Sequence, residues 1–341
     1  MNLVEFTQDG LFCPQADIFI DPWHPVDKAV ITHAHADHAR WGHKYYLAHH
    51  DSKAILRYRL GEDINVETLP YGEHIFLNGV KLSLHPAGHI IGSAQVRLEY
   101  KGEVWVVSGD YKLADDGFCT PYEVVPCHSF ITESTFGMPV YHWKPQAEVM
   151  REIDEWWYAN QREGKASLIG AYSLGKAQRI LTSLNLEIGP VFLHGAIYNT
   201  HEVLRSSGIN LPYCPKLTAE ISKDKISKAL VIAPPSAGQS SWAKRLKKHS
   251  TGVASGWMGV RGMKRRRAAD RGFIISDHAD WEGLNKAVRE CGAENVYVTH
   301  GYTATFSRWL REQGLNSYEV ETLYEGEMAE MHGDDSDPEI N

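Results

Sequence analysis

Long apolar runs are missing from this sequence. Nothing in its 341 residues approaches the uninterrupted stretch of about 18 apolar residues that a membrane-spanning helix needs, so no transmembrane segment is expected. The first dozen residues show no basic stretch followed by an apolar one, which argues against a secretory leader. Cysteine is scarce as well. The five, Cys13, Cys119, Cys127, Cys214 and Cys291, are odd in number and no two stand at CxxC spacing. That pattern argues against a disulfide framework and a cysteine zinc site, and suits reduced thiols in the cytoplasm. Positive charge is in deficit, with a net charge of −8, which taken as a sum counts against a nucleic-acid binder. Internal repeats and long linkers are absent too.

What is present is unevenly distributed. Residues 240–273 hold ten cationic side chains (Lys244, Arg245, Lys247, Lys248, Arg261, Lys264, Arg265, Arg266, Arg267 and Arg271) against one acid, Asp270. Residues 325–341 hold seven acids and no Lys or Arg. A local basic face can bind a polyanion while the chain as a whole stays acidic; the competing reading of such a run is a solvated surface. The acidic end, 333–341, reads as a disordered tail. Length alone suggests roughly two domains of about 150 residues.

Short apolar runs alternate with helix-like segments, the pattern of an α/β fold. Strands are expected at 16–20, 29–32, 81–85, 95–100, 104–107, 129–132, 166–170, 191–194, 229–233, 272–276 and 295–299. A helix is expected at 145–162, with Pro145 suited to its first turn and Val149, Ile153, Trp156 and Trp157 forming one apolar stripe. The tryptophan pair reads as core packing rather than a base-stacking surface. A second helix is expected from about 175 to 187. Six apolar runs finish within a few residues of a polar ligand type: Asp21, His33, Asp110, Glu133, Asp277 with His278, and His300. In layered α/β folds ligands bind outside the carboxyl ends of strands, so six such endings point to one shared polar site.

The strongest local signal is His33-Ala34-His35-Ala36-Asp37-His38, four ligand types within six residues directly after an apolar run. His33 and His35 are two apart, so in an extended segment both rings face the same side. Asp37 and His38 then serve a neighbouring ion as the chain turns. His89 follows in a glycine-bearing loop, and Asp110 follows the 104–107 run. A carboxylate has two oxygens and can bridge two cations. Imidazole and carboxylate donors together suit zinc, manganese or iron rather than calcium.

HxHxDH, a later Gly88-His89, then Gly109-Asp110 after a strand resembles the metallo-β-lactamase pattern. Asp21 is similar to that family's structural aspartate. The resemblance implies that His33, His35 and His89 hold one ion, that Asp37 and His38 hold a second, and that Asp110 bridges them. Glu133 in Thr132-Glu133-Ser134-Thr135, His278 in Ser276-Asp277-His278-Ala279-Asp280 and His300 in Val298-Thr299-His300-Gly301 resemble motifs A, B and C of the β-CASP nuclease branch. Tyr172-Ser173-Leu174-Gly175-Lys176-Ala177-Gln178 looks like a segment of the domain inserted in that branch. Gly10-Leu11-Phe12-Cys13-Pro14, Ser255-Gly256-Trp257-Met258 and Arg266-Arg267-Ala268 are similar to bacterial ligase-associated DNA exonucleases.

The fold implied by this resemblance is a metallo-β-lactamase αββα sandwich with an inserted α/β β-CASP domain. The first part of the sandwich would span 1–140, the insertion 141–268, the return segment 269–332 and the tail 333–341. The implied activity is a metal-dependent DNA exonuclease with two divalent ions, zinc or manganese. It would act in repair beside an ATP-dependent DNA ligase and a helicase. The catalytic residues would be Asp37, His278 as proton donor and Glu133, which holds His278 charged and correctly turned. His300 would complete the shell of the second ion. Nucleic-acid contacts are expected from Lys264, Arg265, Arg266, Arg267 and Arg271, and from Ser173 and Lys176 at a helix start. His300 itself is similar to RNA-processing members, because relatives of the interstrand-crosslink type lack a histidine at motif C. A ribonuclease is therefore the alternative. A small-molecule ester or thioester hydrolase fits the insertion and basic segment less well, and a binding module without activity fits poorly with a complete ligand set.

Overall fold

A computed structural model of the chain describes residues 2–260 and 269–324. The expected phosphate contacts Lys264, Arg265, Arg266 and Arg267, and the acidic tail, lie outside the described residues. The described residues divide into two compact units: 2–141 with 277–324, and 142–260 with 269–276.

The first unit is built from two sheets. One has six short strands in the order Glu5–Phe6, Leu11–Cys13, Ile18–Ile20, Lys28–Val30, Tyr45–Ala48 and Val66–Thr68. Its first two pairings are antiparallel and the rest parallel. The other has seven strands in the order Asn316–Glu319, Asn295–Gly301, Ser129–Ser134, Glu103–Val107, Ala94–Tyr100, Val80–Pro86 and His74–Leu77. Here the first four strands run parallel and the remainder pair antiparallel. Side chains of both sheets share one core: Leu11, Ile18, Ile20 and Val30 pack with Leu82, Leu84, Val96, Leu98, Trp105, Val107 and Ile131. The opposite face of the seven-stranded sheet, through Val104, Val106, Phe130, Val296 and Val298, is covered by Leu284, Ala287, Val288, Phe306 and Leu310. These come from the helices Trp281–Cys291 and Thr303–Glu312. Every residue of Ser129–Ser134 is buried, as expected of a central strand covered on both faces.

The second unit carries a five-stranded, all-parallel sheet in the order Val191–Leu193, Leu230–Ala233, Ala166–Gly170, His249–Ala254 and Arg271–Phe273. One face packs Ile169, Leu193, Leu230 and Ile232 against Val149, Ile153, Trp157, Ile180 and Ile197. The other face packs Leu168, Phe192, Val231 and Ala233 with Leu217, Ala237 and Leu246. In the helix Gln146–Arg162, Trp157 is fully buried and its indole donates to the Lys228 carbonyl at 3.0 Å. Trp156 meets Phe273 edge-on at 5.4 Å, so both rings serve packing.

The structure departs from the sequence reading at identifiable points. Residues 272–276 do not form a strand of the first unit. Arg271–Phe273 pairs with His249–Ala254, and the chain returns to the first unit at Asp277 rather than at 269. The strand His249–Ala254 is hard to see because its sequence, HSTGVA, has little apolar pattern. The second helix stops at Ser183, where Leu184 turns extended and the Asn185 side chain accepts the Glu187 N–H at 3.1 Å. All five cysteines are buried and none is in a disulfide. Among the described residues no helix is long and apolar enough to cross a membrane.

Gly301 ends the strand that carries His300. It sits at φ +85°, and an added Cβ would lie 2.3 Å from the Ser134 carbonyl oxygen. Gly292, at φ +69°, has nothing within 4 Å of an added Cβ. The expected cost of Gly301→Ala is therefore about 2–4 kcal/mol, strain plus overpacking, against about 1 kcal/mol for Gly292→Ala. Denaturant unfolding of the two variants checks the difference.

Candidate metal centre

The clustered candidate side chains lie within the first unit, most of them at the ends of strands or in the loops that follow them. Lys28–Val30 delivers the HAHADH run, Val80–Pro86 leads into the His89 loop, and Glu103–Val107 leads through Gly109 to Asp110. Gly109 is needed for space: its φ is +56° and an added Cβ would meet the Thr32 side chain at 2.6 Å. Glu133 and His300 lie on the neighbouring strands Ser129–Ser134 and Asn295–Gly301. His278 arrives differently, from an irregular segment between Phe273 and the helix Trp281–Cys291, not from a strand end. Asp280 caps that helix by accepting the Gly283 N–H at 2.9 Å.

Five imidazoles converge on one carboxylate. From Asp110 Oδ2, His38 Nε2 is 3.5 Å away, His33 Nε2 3.6 Å, and His89 Nε2 and His278 Nδ1 are each 3.9 Å, while His300 Nε2 is 3.2 Å from Oδ1. His35 joins the group through His89, Nδ1 to Nε2 3.1 Å. Asp37 Oδ2 lies 3.7 Å from His38 Nε2. His33, His35, His89 and Asp110 bring their donor atoms within 4.8 Å of one another.

Three of these imidazoles, His33, His38 and His89, are held from behind at Nδ1. Asp21 accepts the Thr32 N–H at 2.7 Å and the Thr32 hydroxyl at 2.5 Å, and its Oδ2 lies 2.7 Å from His38 Nδ1. His33 Nδ1 is 3.0 Å from the Thr32 hydroxyl, and His89 Nδ1 is 2.9 Å from the Asp277 carbonyl. Holding Nδ1 in this way presents Nε2 inward, as metal-binding histidines require. On the far side of Asp110, His278 Nδ1 sits 2.9 and 3.1 Å from the two oxygens of Glu133. Glu133 also accepts the Tyr111 N–H at 2.8 Å.

The charges suit cations. Burial, then the neighbouring imidazoles, holds His33 and His89 well below the ordinary histidine value, so both are neutral at pH 7. Burial would lower His38 too, but the carboxylates of Asp110, Asp37 and Asp21 outweigh it and lift its pKa to about 10. Asp110 is held well below the carboxylate range because His38, His300 and His278 overcome the burial that would raise it. His33 Nε2 and His38 Nε2 are buried without a hydrogen-bond partner, and an orphaned buried polar atom costs about 1–3 kcal/mol. A cation among these atoms removes that cost. The donor set of nitrogen and carboxylate oxygen fits zinc, manganese or iron.

The remaining sequence candidates fall in the second unit. Ser173 is buried and its hydroxyl has no hydrogen-bond partner. Lys176 is wholly buried, with its ammonium 4.2 Å above the Tyr172 ring. The loop between them is fixed by Gln178, which accepts the Gly175 N–H at 2.8 Å and donates to the Ser173 carbonyl at 3.0 Å. Arg271 is half-exposed and 3.7 Å from Glu152. Sequence reasoning missed two members of the site: Thr32, bonded to Asp21, and Tyr324, whose ring stacks on His38 with centroids 4.4 Å apart. Neither residue type is a usual metal ligand, so no ligand spacing marks them.

No family model matches the chain. A protein named probable DNA ligase, from Opitutus terrae, is 32% identical over 314 residues, covering 91% of this chain and 30% of that protein. The endoribonuclease YSH1 of Saccharomyces cerevisiae is 26% identical over 202 residues, covering 47% of this chain and 26% of that protein. An RNase J-like protein of Methanocaldococcus jannaschii is 26% identical over 220 residues, 58% of this chain and 52% of that protein. The chain thus spans less than a third of the first two and about half of the third.

Two outcomes follow from the geometry. Stripping the protein with EDTA lowers its melting temperature, and Zn²⁺ or Mn²⁺ restores it; an ion at 100 times its dissociation constant adds about 2.7 kcal/mol. Asp21→Asn keeps a residue that tolerates φ +42° but turns one acceptor into a donor beside His38. It weakens metal binding by about 10–100-fold, measured by titration of the stripped protein.

Proposed function

We propose that the chain is a two-metal phosphodiesterase of the metallo-β-lactamase superfamily, β-CASP branch, and that its substrate is DNA, degraded as an exonuclease. The observation that carries the reading is the convergence of five imidazoles on the buried Asp110 carboxylate, with Asp37 against His38 and the Glu133–His278 pair beside it. The relatives named as ribonucleases support phosphodiester hydrolysis, and the relative named a DNA ligase, matched over 91% of this chain, supports DNA. In this reading the two units are the catalytic sandwich and the inserted domain.

His33, His35, His89 and Asp110 would hold one ion, and Asp37, His38, Asp110 and His300 would hold the other. Divalent ions in those positions supply a strong nucleophile at neutral pH and offset the charge that grows on the phosphoryl oxygens. The chain supplies the rest. Asp21 and Thr32 fix the ligands before substrate arrives, so little reorganisation is needed during the reaction. Glu133 holds His278 through Nδ1, which leaves Nε2 as the atom that hands a proton to the leaving oxygen. Glu133 in turn is steadied by the Tyr111 N–H. Ser173 and Lys176 are proposed as phosphate contacts through a hydroxyl and an ammonium at a helix start, with Arg271, which is exposed, as a further cationic contact. The physiological setting is repair in the cytoplasm, beside an ATP-dependent ligase and a helicase.

His300 favours a second reading, a ribonuclease using the same centre. Matched single-stranded DNA and RNA, labelled at the 5′ or 3′ end and offered with Mn²⁺, Zn²⁺ or EDTA, separate the two. Stepwise shortening of DNA that requires metal and is abolished by Asp37→Ala/His38→Ala supports the exonuclease, and preferential loss of RNA supports the alternative. Cleavage of neither, with metal bound, ends both readings. His278→Ala lowers kcat by about 10²–10⁴-fold while metal content stays at the wild-type level; loss of metal instead would make His278 a ligand.

A further inference from the structure

Past the strand Asn316–Glu319 the chain continues as a strap held at three points. Val320 N–H donates to the Val298 carbonyl at 2.9 Å, and Arg40 donates to the Leu323 carbonyl at 3.2 Å. The Tyr324 hydroxyl donates to the Asp21 carbonyl at 3.1 Å. The Tyr324 ring lies flat on the His38 imidazole, centroids 4.4 Å apart and planes within 6°. It meets His300 edge-on at 5.8 Å, and Trp23 backs it edge-on at 5.5 Å. Both imidazoles it touches belong to the same half of the centre, the half formed by Asp37, His38, Asp110 and His300.

His38 therefore has two restraints of different kinds. Asp21 grips Nδ1 in the plane of the ring. A hydrogen bond at one atom does not stop the ring from rotating about that bond. A flat aromatic surface against the face does, and it also keeps water from that face. The Tyr324 hydroxyl is engaged by a backbone carbonyl, so the contribution of the residue comes through its ring.

We propose that Tyr324 is a positioning residue for one of the two metal sites, locking His38 by stacking so that the half formed by Asp37, His38 and His300 retains its ion. The proposal rests on the two-ion reading above. It separates the two halves: loss of the ring weakens one ion and spares the ion among His33, His35 and His89.

The test is calorimetric titration of the EDTA-stripped full chain with Zn²⁺, in the wild type and in Tyr324→Phe, Tyr324→Leu and Tyr324→Ala. Thermal unfolding of each metal-free form serves as the control for folding. The wild type takes up two ions. Tyr324→Phe, which keeps the stacked face, binds both within about threefold of the wild type. Tyr324→Leu and Tyr324→Ala keep one step and weaken the other by about tenfold or more. Leucine retains much of the bulk, so it reports on stacking even where alanine loosens the strap. Unchanged binding in both variants overturns the proposal, as does equal weakening of both steps with a metal-free form that melts early. Uptake of a single ion by the wild type removes the two-ion reading, and the proposal with it.

Discussion

The arrangement of the first unit depends on one buried carboxylate. Asp110 lies within 3.9 Å of nitrogens from five histidines, and these arrive from four different segments of sequence. A charge taken out of water must be compensated, and in the protein alone that falls to a protonated imidazole, chiefly His38. A divalent cation does so without the proton, which is why binding at such a site is coupled to proton release. The fold makes the convergence possible by ending its strands on one edge. Glu103–Val107, Ser129–Ser134 and Asn295–Gly301 are neighbours in one sheet and run parallel, so Asp110, Glu133 and His300 emerge together.

The orienting groups are as specific as the side chains they hold. Asp21 is not aimed at the centre, yet it holds Thr32 and His38 at once, and Tyr324 closes over the other face of His38. Glu133 stands in the same relation to His278. The cluster is thus two nested layers, an inner set of nitrogens and carboxylate oxygens and an outer set of groups that engage Nδ1 of His33, His38, His89 and His278.

Much of this was legible in the sequence because it is local. HAHADH is contiguous, and the runs before it, before Asp110 and before His300 have the apolar character of buried strands. The joining of Glu133 to His278, which are 145 residues apart, follows from no spacing rule; the expectation came from resemblance alone. The return of the chain was misjudged because Gly272-Phe273-Ile274-Ile275 is as apolar as a strand of either unit, and only its pairing with His249–Ala254 decides which. Tyr324 was invisible because Glu321-Thr322-Leu323-Tyr324 has no periodicity, and its role comes from where the strap lies. The expected contacts Ser173 and Lys176 are polar groups buried in the second unit, which is an unusual position for both.

The account stands or falls on two ions sharing Asp110. Its most direct test is a crystal structure of the full chain grown with Mn²⁺ and recorded at a wavelength where manganese scatters anomalously. The account predicts two peaks, one among His33, His35, His89 and Asp110 and one among Asp37, His38, Asp110 and His300. A single peak, or peaks away from Asp110, would contradict it.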